Sequence, residues 1–351
     1  MSEKKKGDNG EKSLEVNREK YLEAQRERDS HKEETIREDI SGPSFMPTFQ
    51  VKAKFFPLPI ITVVILAGIL AYITYVIAGF QIEGVPFSES EGGAGAALLN
   101  GLIFIIYAAV ASFIMIFLMK KLGVSVLKFI FAFSFWFLSF SLLWIFGDII
   151  VYLLSPTYEF YTISTYVLLG CVVVFSSFLV YKYLKGDSQR FKNLFILLVG
   201  FLIGAFMGIV IPKYTTIVIL IAMALWDIFA VKSRRGPIKE MMEIIFEQNP
   251  EKEKQKRIER MTKNGEYEIA YEISSLEIGI GDLAFYSMLT SHALILTDNI
   301  VIMIATAIAV IIGTGITILG LRKNRMLPGL PISIFLGLGT LYFLYLIDLL
   351  I

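Results

Sequence analysis

From about residue 57 onward the chain alternates long apolar runs with short polar breaks, whereas the residues before it are almost entirely polar. Runs of about 20 apolar residues are long enough to cross a bilayer as helices. Nine can be drawn, at 57–80, 96–119, 124–147, 161–181, 193–211, 215–231, 278–297, 300–320 and 328–350. The third has the softest boundaries, because its apolar stretch overruns the needed length and carries Lys128 near one end and Asp148 near the other. The pattern predicts an all-α polytopic membrane protein. A polar segment at 1–56 precedes helices one to six (57–231), and a loop at 232–277 separates these from helices seven to nine (278–351).

Composition strengthens this reading, since a hydrophobic share of 55% with 28 Phe exceeds what one soluble core of this size needs. The formal charge of +1 hides an uneven distribution, with nearly all charge in the two polar segments. Residues 1–56 hold 12 Lys/Arg and 12 Asp/Glu, interleaved as in Arg18-Glu19-Lys20, which predicts a disordered cytoplasmic tail or a frayed, solvated helix. No apolar stretch in it resembles a cleavable signal peptide. Neither polar segment is basic enough to imply nucleic acid. The single cysteine, Cys171, lies in an apolar run and excludes an intrachain disulfide.

Lys and Arg set the orientation, because short loops rich in them stay cytoplasmic. With the N terminus inside, the inner side receives the tail, Lys120-Lys121, Lys182 to Lys192, the 232–277 loop and Arg322-Lys323-Arg325. Lys128 lies near enough to that face to snorkel. Lys213 falls outside, as do Glu83, Glu89, Glu91, Glu159 and the C terminus. The expected location is the cell membrane.

Two aspartates interrupt apolar runs: Asp227 in Trp226-Asp227-Ile228-Phe229-Ala230-Val231, and Asp282 in Gly279-Ile280-Gly281-Asp282-Leu283. An ionisable group in hydrocarbon costs several kcal/mol unless paired, hydrated or neutralised, so it marks a candidate site. Each lies about four residues from the inner end of its span, hence roughly 6 Å below the interface. Antiparallel neighbours with axes about 8–10 Å apart would bring the carboxyls close enough to share a water or a proton. One then serves as general acid while the other acts as base on water, the chemistry of aspartic proteases. Cation sites and proton relays use such carboxylates too, and the two residues alone leave those readings level with hydrolysis. Asp148, Asp298, Asp348 and His292 lie near predicted outer ends, where they are expected to meet water. With His31 in the tail, the histidines form no zinc-ligand cluster.

The flanks separate the readings. Gly279 and Gly281 remove side chains just before Asp282, leaving room for a backbone or for water. At the ninth span stands Leu327-Pro328-Gly329-Leu330-Pro331-Ile332-Ser333-Ile334, whose two prolines disturb a regular helix start beside a covered cavity. Trp226-Asp227 with Ala230-Val231 and Gly236-Pro237, then Gly279 to Asp282 running into Phe285-Tyr286-Ser287, then Pro328 to Ile334 resemble in order the three signatures of the presenilin family of intramembrane aspartyl proteases. Trp226 stands where that family usually has Tyr, and Gly329 where it usually has Ala. Trp226 keeps an aromatic ring and a polar handle, so activity is expected to survive. A short inner loop and an end within the ninth helix look more like archaeal homologues than animal presenilins, and signal peptide peptidases resemble the chain less.

The resemblance implies nine transmembrane helices, a catalytic dyad of Asp227 and Asp282, and an active-site motif including Trp226, Gly279 and Gly281. It further implies that Pro328, Gly329, Leu330 and Pro331 shape the site and hold substrate. The substrates would be transmembrane helices of membrane proteins, cut by dyad-held water, with no metal or organic cofactor. The sequence does not demand accessory subunits. Alternatives of other classes are a cation channel or transporter using the same aspartates, and a prepilin-type peptidase, whose signature would not predict the Pro328 to Ile334 segment.

The inner loop carries two further patterns. Ile238, Met241, Met242 and Ile245 form an apolar stripe after Pro237, which suits a short amphipathic helix lying on the membrane or capping the bundle. Asn264-Gly265 followed by alternating Tyr267, Ile269, Tyr271 and Ile273 suits a β-hairpin. Such a strand could pair with an unwound substrate or be purely structural.

Overall fold

The structure is a computed structural model that describes residues 48–52, 55–80, 83–185, 188–232, 276–321 and 329–350. Both inner-loop patterns lie outside these residues, as does Pro328. The expected apolar segments recur as helices: α1 (Pro57–Ala71), α2 (Glu89–Leu122), α3 (Val124–Leu154), α4 (Tyr158–Lys185), α5 (Gln189–Val210), α6 (Lys213–Lys232), α7 (Ile280–Thr297), α8 (Ile300–Leu321) and α9 (Leu330–Leu350). Proline opens α1, where its missing N–H costs nothing. A π-helical turn, Tyr72–Ile77, continues α1. Gly123, with φ of 82°, lets α2 end and α3 begin at once. The third span outruns its expected end, so Asp148 lies within α3, where Tyr161 and Thr165 of α4 donate to it at 3.1 Å.

Eight of these helices are long and apolar enough to cross a membrane. The exception is α7, which carries Asp282, Ser287, Thr290, Ser291 and His292 in 18 residues. Its residues from Leu283 to Leu294 are buried apart from Phe285, because α1, α5, α6, α8 and α9 all pack against it. Polar side chains are tolerable there because protein surrounds them instead of lipid. The expectation that His292 meets water is thereby corrected, since it is only 3% exposed at the centre of the bundle. Conversely, α4 lies at the periphery, with Tyr166 and Val174 turned outward and Cys171 exposed. An apolar wall of this kind suits lipid and would aggregate in water.

The closest packing joins α7 to α5. A Cβ built on Gly204 would stand 2.2 Å from the Ser287 Cβ and 2.8 Å from the Ala284 carbonyl oxygen. One turn on, a Cβ on Gly208 would stand 2.8 Å from the Ser291 Cβ. Small residues at this spacing let two helix backbones touch where hydrophobicity gives helices no preference for each other over lipid.

Just before α7, β2 (Leu276–Gly279) pairs antiparallel with β1 (Thr48–Val51), with Phe49 opposite Ile278 and Gln50 opposite Glu277. Residues 48–51, read from sequence as part of the charged tail, are therefore ordered as a strand. Asn193 of α5 accepts from the Gln50 N–H at 3.1 Å and donates to its carbonyl at 2.7 Å, standing in for a third strand. Gln50 and Glu277 are thus a pair that exchanges no ladder bonds, and the Glu277 N–H and C=O are directed to the outer edge of β2.

Candidate active site

Asp227 lies five residues before the C-terminal end of α6, and Asp282 in the first turn of α7. The positive end of the α7 dipole therefore adjoins Asp282. Asp227 has no such position in its own helix but finds one in another: its Oδ2 accepts the Leu330 N–H, the first amide of α9, at 3.0 Å. That amide is one of the donors a helix start leaves without an internal partner. The neighbouring Gly329 backs onto the other carboxyl, since a Cβ built on it would lie 3.2 Å from Asp282 Oδ2. Two consecutive residues at the α9 entry thus lie beside the two aspartates, Leu330 against Asp227 and Gly329 against Asp282.

Side-by-side packing of α6 on α7 was expected to hold this pair. The two helices do pack on each other, over a shorter stretch than α6 packs on α2 and α9, and the α9 entry lies against both aspartates. Gly279 ends β2 and precedes α7 in an extended conformation, and a Cβ there would lie 3.8 Å from Asp282 Oδ2. Gly281 is exposed, with nothing within 4 Å of a built Cβ. The Trp226 ring is half-buried and packs on Phe229 at 5.5 Å between centroids. Pro331 is buried in the first turn of α9, beside Leu330.

Sequence reasoning placed Tyr286 and Ser333 within signature stretches but gave neither a role, and it did not single out Thr314. The Tyr286 hydroxyl lies 3.3 Å from the Gly329 carbonyl oxygen and 3.3 Å from Ser333 Oγ, and Ser333 Oγ lies 3.0 Å from Thr314 Oγ1 of α8. Spacing alone could have pointed to Tyr286, four residues past Asp282 and so on the same helix face. The run Gly200, Gly204, Gly208 on α5 was equally visible as a close-packing signal. Nothing local marks Thr314, and only the Pro328 to Ile334 stretch marks Ser333.

Helices enclosing a polar central helix, with two intramembrane carboxyls bracketing the start of another, define a polytopic membrane protein built around an acidic pair. The family described as Presenilin matches residues 57–251 and 246–347, and the chain belongs to that family. Presenilin-B of Dictyostelium discoideum is 36% identical over 133 residues, which is 38% of this chain and 26% of that protein's length. A presenilin-like protein of Arabidopsis thaliana is 27% identical over 337 residues, covering 75% of this chain and 82% of its own. Two solved structures of a presenilin family intramembrane aspartate protease, in space groups C222 and P2, share the fold. They superpose with TM-scores of 0.52 and 0.50 at 15% identity, over 83% of this chain and 96% and 95% of theirs.

Proposed function

We propose that the chain is an intramembrane aspartyl protease that hydrolyses peptide bonds within transmembrane segments of membrane proteins, using Asp227 and Asp282 as the dyad. The observation that carries this reading is the bracketing of one dipeptide, Gly329-Leu330, by both carboxyls. A backbone segment already lies beside both groups, as a substrate backbone must, and its Leu330 N–H bonds a carboxylate oxygen. One carboxyl holds a proton for the scissile carbonyl while the other draws a proton from water, so that attack and protonation occur together. Family membership weighs for hydrolysis over cation transport by the same residues.

The substrate is an unwound transmembrane helix that enters sideways near the inner interface. The outer edge of β2, where the Glu277 N–H and C=O point, leads straight into the Asp282 turn and suits an added substrate strand. Pro328, Gly329, Leu330 and Pro331 shape the site, with Trp226, Gly279 and Gly281 lining it. The N terminus lies inside and the C terminus outside, in a nine-span arrangement of the archaeal homologue type.

The test is cleavage of a labelled transmembrane peptide by purified protein in vesicles. Asp227→Asn and Asp282→Asn should each lower the rate at least about 1000-fold, the scale of losing an essential acid or base, while leaving the thermal unfolding midpoint within a few degrees. Normal cleavage by either variant overturns the proposal.

A further inference from the structure

Tyr286 is 1% exposed and stands one helical turn beyond Asp282. Its hydroxyl meets the Gly329 carbonyl oxygen at 3.3 Å. A carbonyl oxygen carries no proton, so in this bond the phenol donates. That carbonyl and the Leu330 N–H belong to a single trans peptide unit, whose two polar ends point in opposite directions. The amide end donates to Asp227 Oδ2 at 3.0 Å. One rigid plane is therefore held at its carbonyl by α7 and presents its N–H to α6.

The phenol is itself supported. Its one proton is shared with Ser333 Oγ, to which it also donates at 3.3 Å, and Ser333 Oγ is hydrogen-bonded to Thr314 Oγ1 at 3.0 Å. Thr314 donates to the Val310 carbonyl of its own helix, 2.9 Å away, and can accept from Ser333. Ser333 is fully buried and Thr314 7% exposed, so water does not compete for these bonds. Hydrogen bonds in series polarise one another, and donation to a peptide carbonyl sharpens the donor at the other end of the same unit.

We propose that Tyr286 is a positioning residue for the acidic pair, acting through the Gly329–Leu330 peptide. By fixing that plane and strengthening its N–H, it aims the Asp227 carboxyl at the space beside Asp282 before substrate arrives. The inference rests on the protease reading and gives Tyr286 a part within that site. Without the phenol oxygen the peptide can rock, and Asp227 loses its fixed direction.

Tyr286→Phe removes one oxygen and keeps the ring. It should lower kcat about tenfold, the effect of one hydrogen bond made useful in the transition state, with KM within about twofold of wild type. A purely structural role would lower the unfolding midpoint and leave the kcat of folded protein intact. A second measurement is independent of activity. Labelling glycine carbonyl carbon and leucine amide nitrogen together selects the four Gly-Leu peptides, at Gly101-Leu102, Gly320-Leu321, Gly329-Leu330 and Gly337-Leu338. The Leu330 amide proton, identified by its movement in Asp227→Asn, should shift upfield in Tyr286→Phe. Ser333→Ala removes the second acceptor and leaves the phenol's proton to Gly329 alone, so it should move the Leu330 amide downfield, do nothing in the Tyr286→Phe background, and serve alone if Tyr286→Phe does not fold. An unchanged kcat, or an unmoved Leu330 amide, overturns the proposal. If wild-type protein cleaves nothing, the protease reading fails while the amide shift still decides whether the clamp exists.

Discussion

Gly204→Ala should injure this protein out of proportion to a single methyl group. The added Cβ would stand 2.2 Å from the Ser287 Cβ, 2.8 Å from the Ala284 carbonyl oxygen and 3.0 Å from the Met288 nitrogen. Carbon atoms rest at about 3.5–4.0 Å, so α5 and α7 must part by roughly 1.5 Å at this level. The obstructing atoms are a Cβ and two backbone atoms, and none can swing aside by changing rotamer. Overpacking in a dense core costs about 1–3 kcal/mol, and this geometry belongs at the upper end. By the scaling of ordinary domains the unfolding midpoint should fall by roughly 5–10 °C. The displacement also reaches the acidic pair, because Asp282 lies on the same rigid helix five residues before Ser287. Misplacing a reacting group by about 1 Å can cost 100-fold, so on the proposed protease reading peptide cleavage should slow at least about tenfold. The assay is unfolding in detergent micelles alongside cleavage in vesicles, with Gly170→Ala as control, since a Cβ at Gly170 meets nothing within 4 Å. A Gly204→Ala protein with wild-type midpoint and rate would refute the close contact of α5 with α7.

Two further outcomes test other parts of the structure. Asn193→Ala removes both side-chain bonds to the Gln50 backbone; it should loosen β1 by about 1–3 kcal/mol, and amide exchange across 48–51 should quicken while that of α8 stays unchanged. Gly281→Ala adds a methyl with nothing within 4 Å in the exposed first turn of α7, so the midpoint should hold or rise slightly as the backbone loses freedom in the unfolded chain, and a fall of several degrees would contradict that open space.

Much of the molecule was legible before any coordinates. Hydropathy is a local property, so runs such as 193–211 and 300–320 announced themselves as helices α5 and α8 wherever they would pack. Asp227 and Asp282 stood out for the same reason, as charges where the surrounding residues allow none. The glycine run at 200, 204 and 208 was there to be read as a close-packing face, though its partner was not.

What only the tertiary structure decided depends on which surfaces meet. No window of sequence tells that α7 takes the centre, because burial against five neighbours is a property of those neighbours. The strand at 48–51 became visible only through its partner at 276–279, more than 200 residues away along the chain, and through the Asn193 amide on its other side. The joining of Asp227 to Asp282 through the α9 entry, and the line of hydroxyls behind Tyr286, likewise required three helices to converge on one peptide plane. Local composition set which segments would be helices and which residues would be costly in lipid. Packing alone determined which side chains would meet those costly residues, because hydrogen-bond geometry is settled within tenths of an ångström and no pattern along the chain carries that precision.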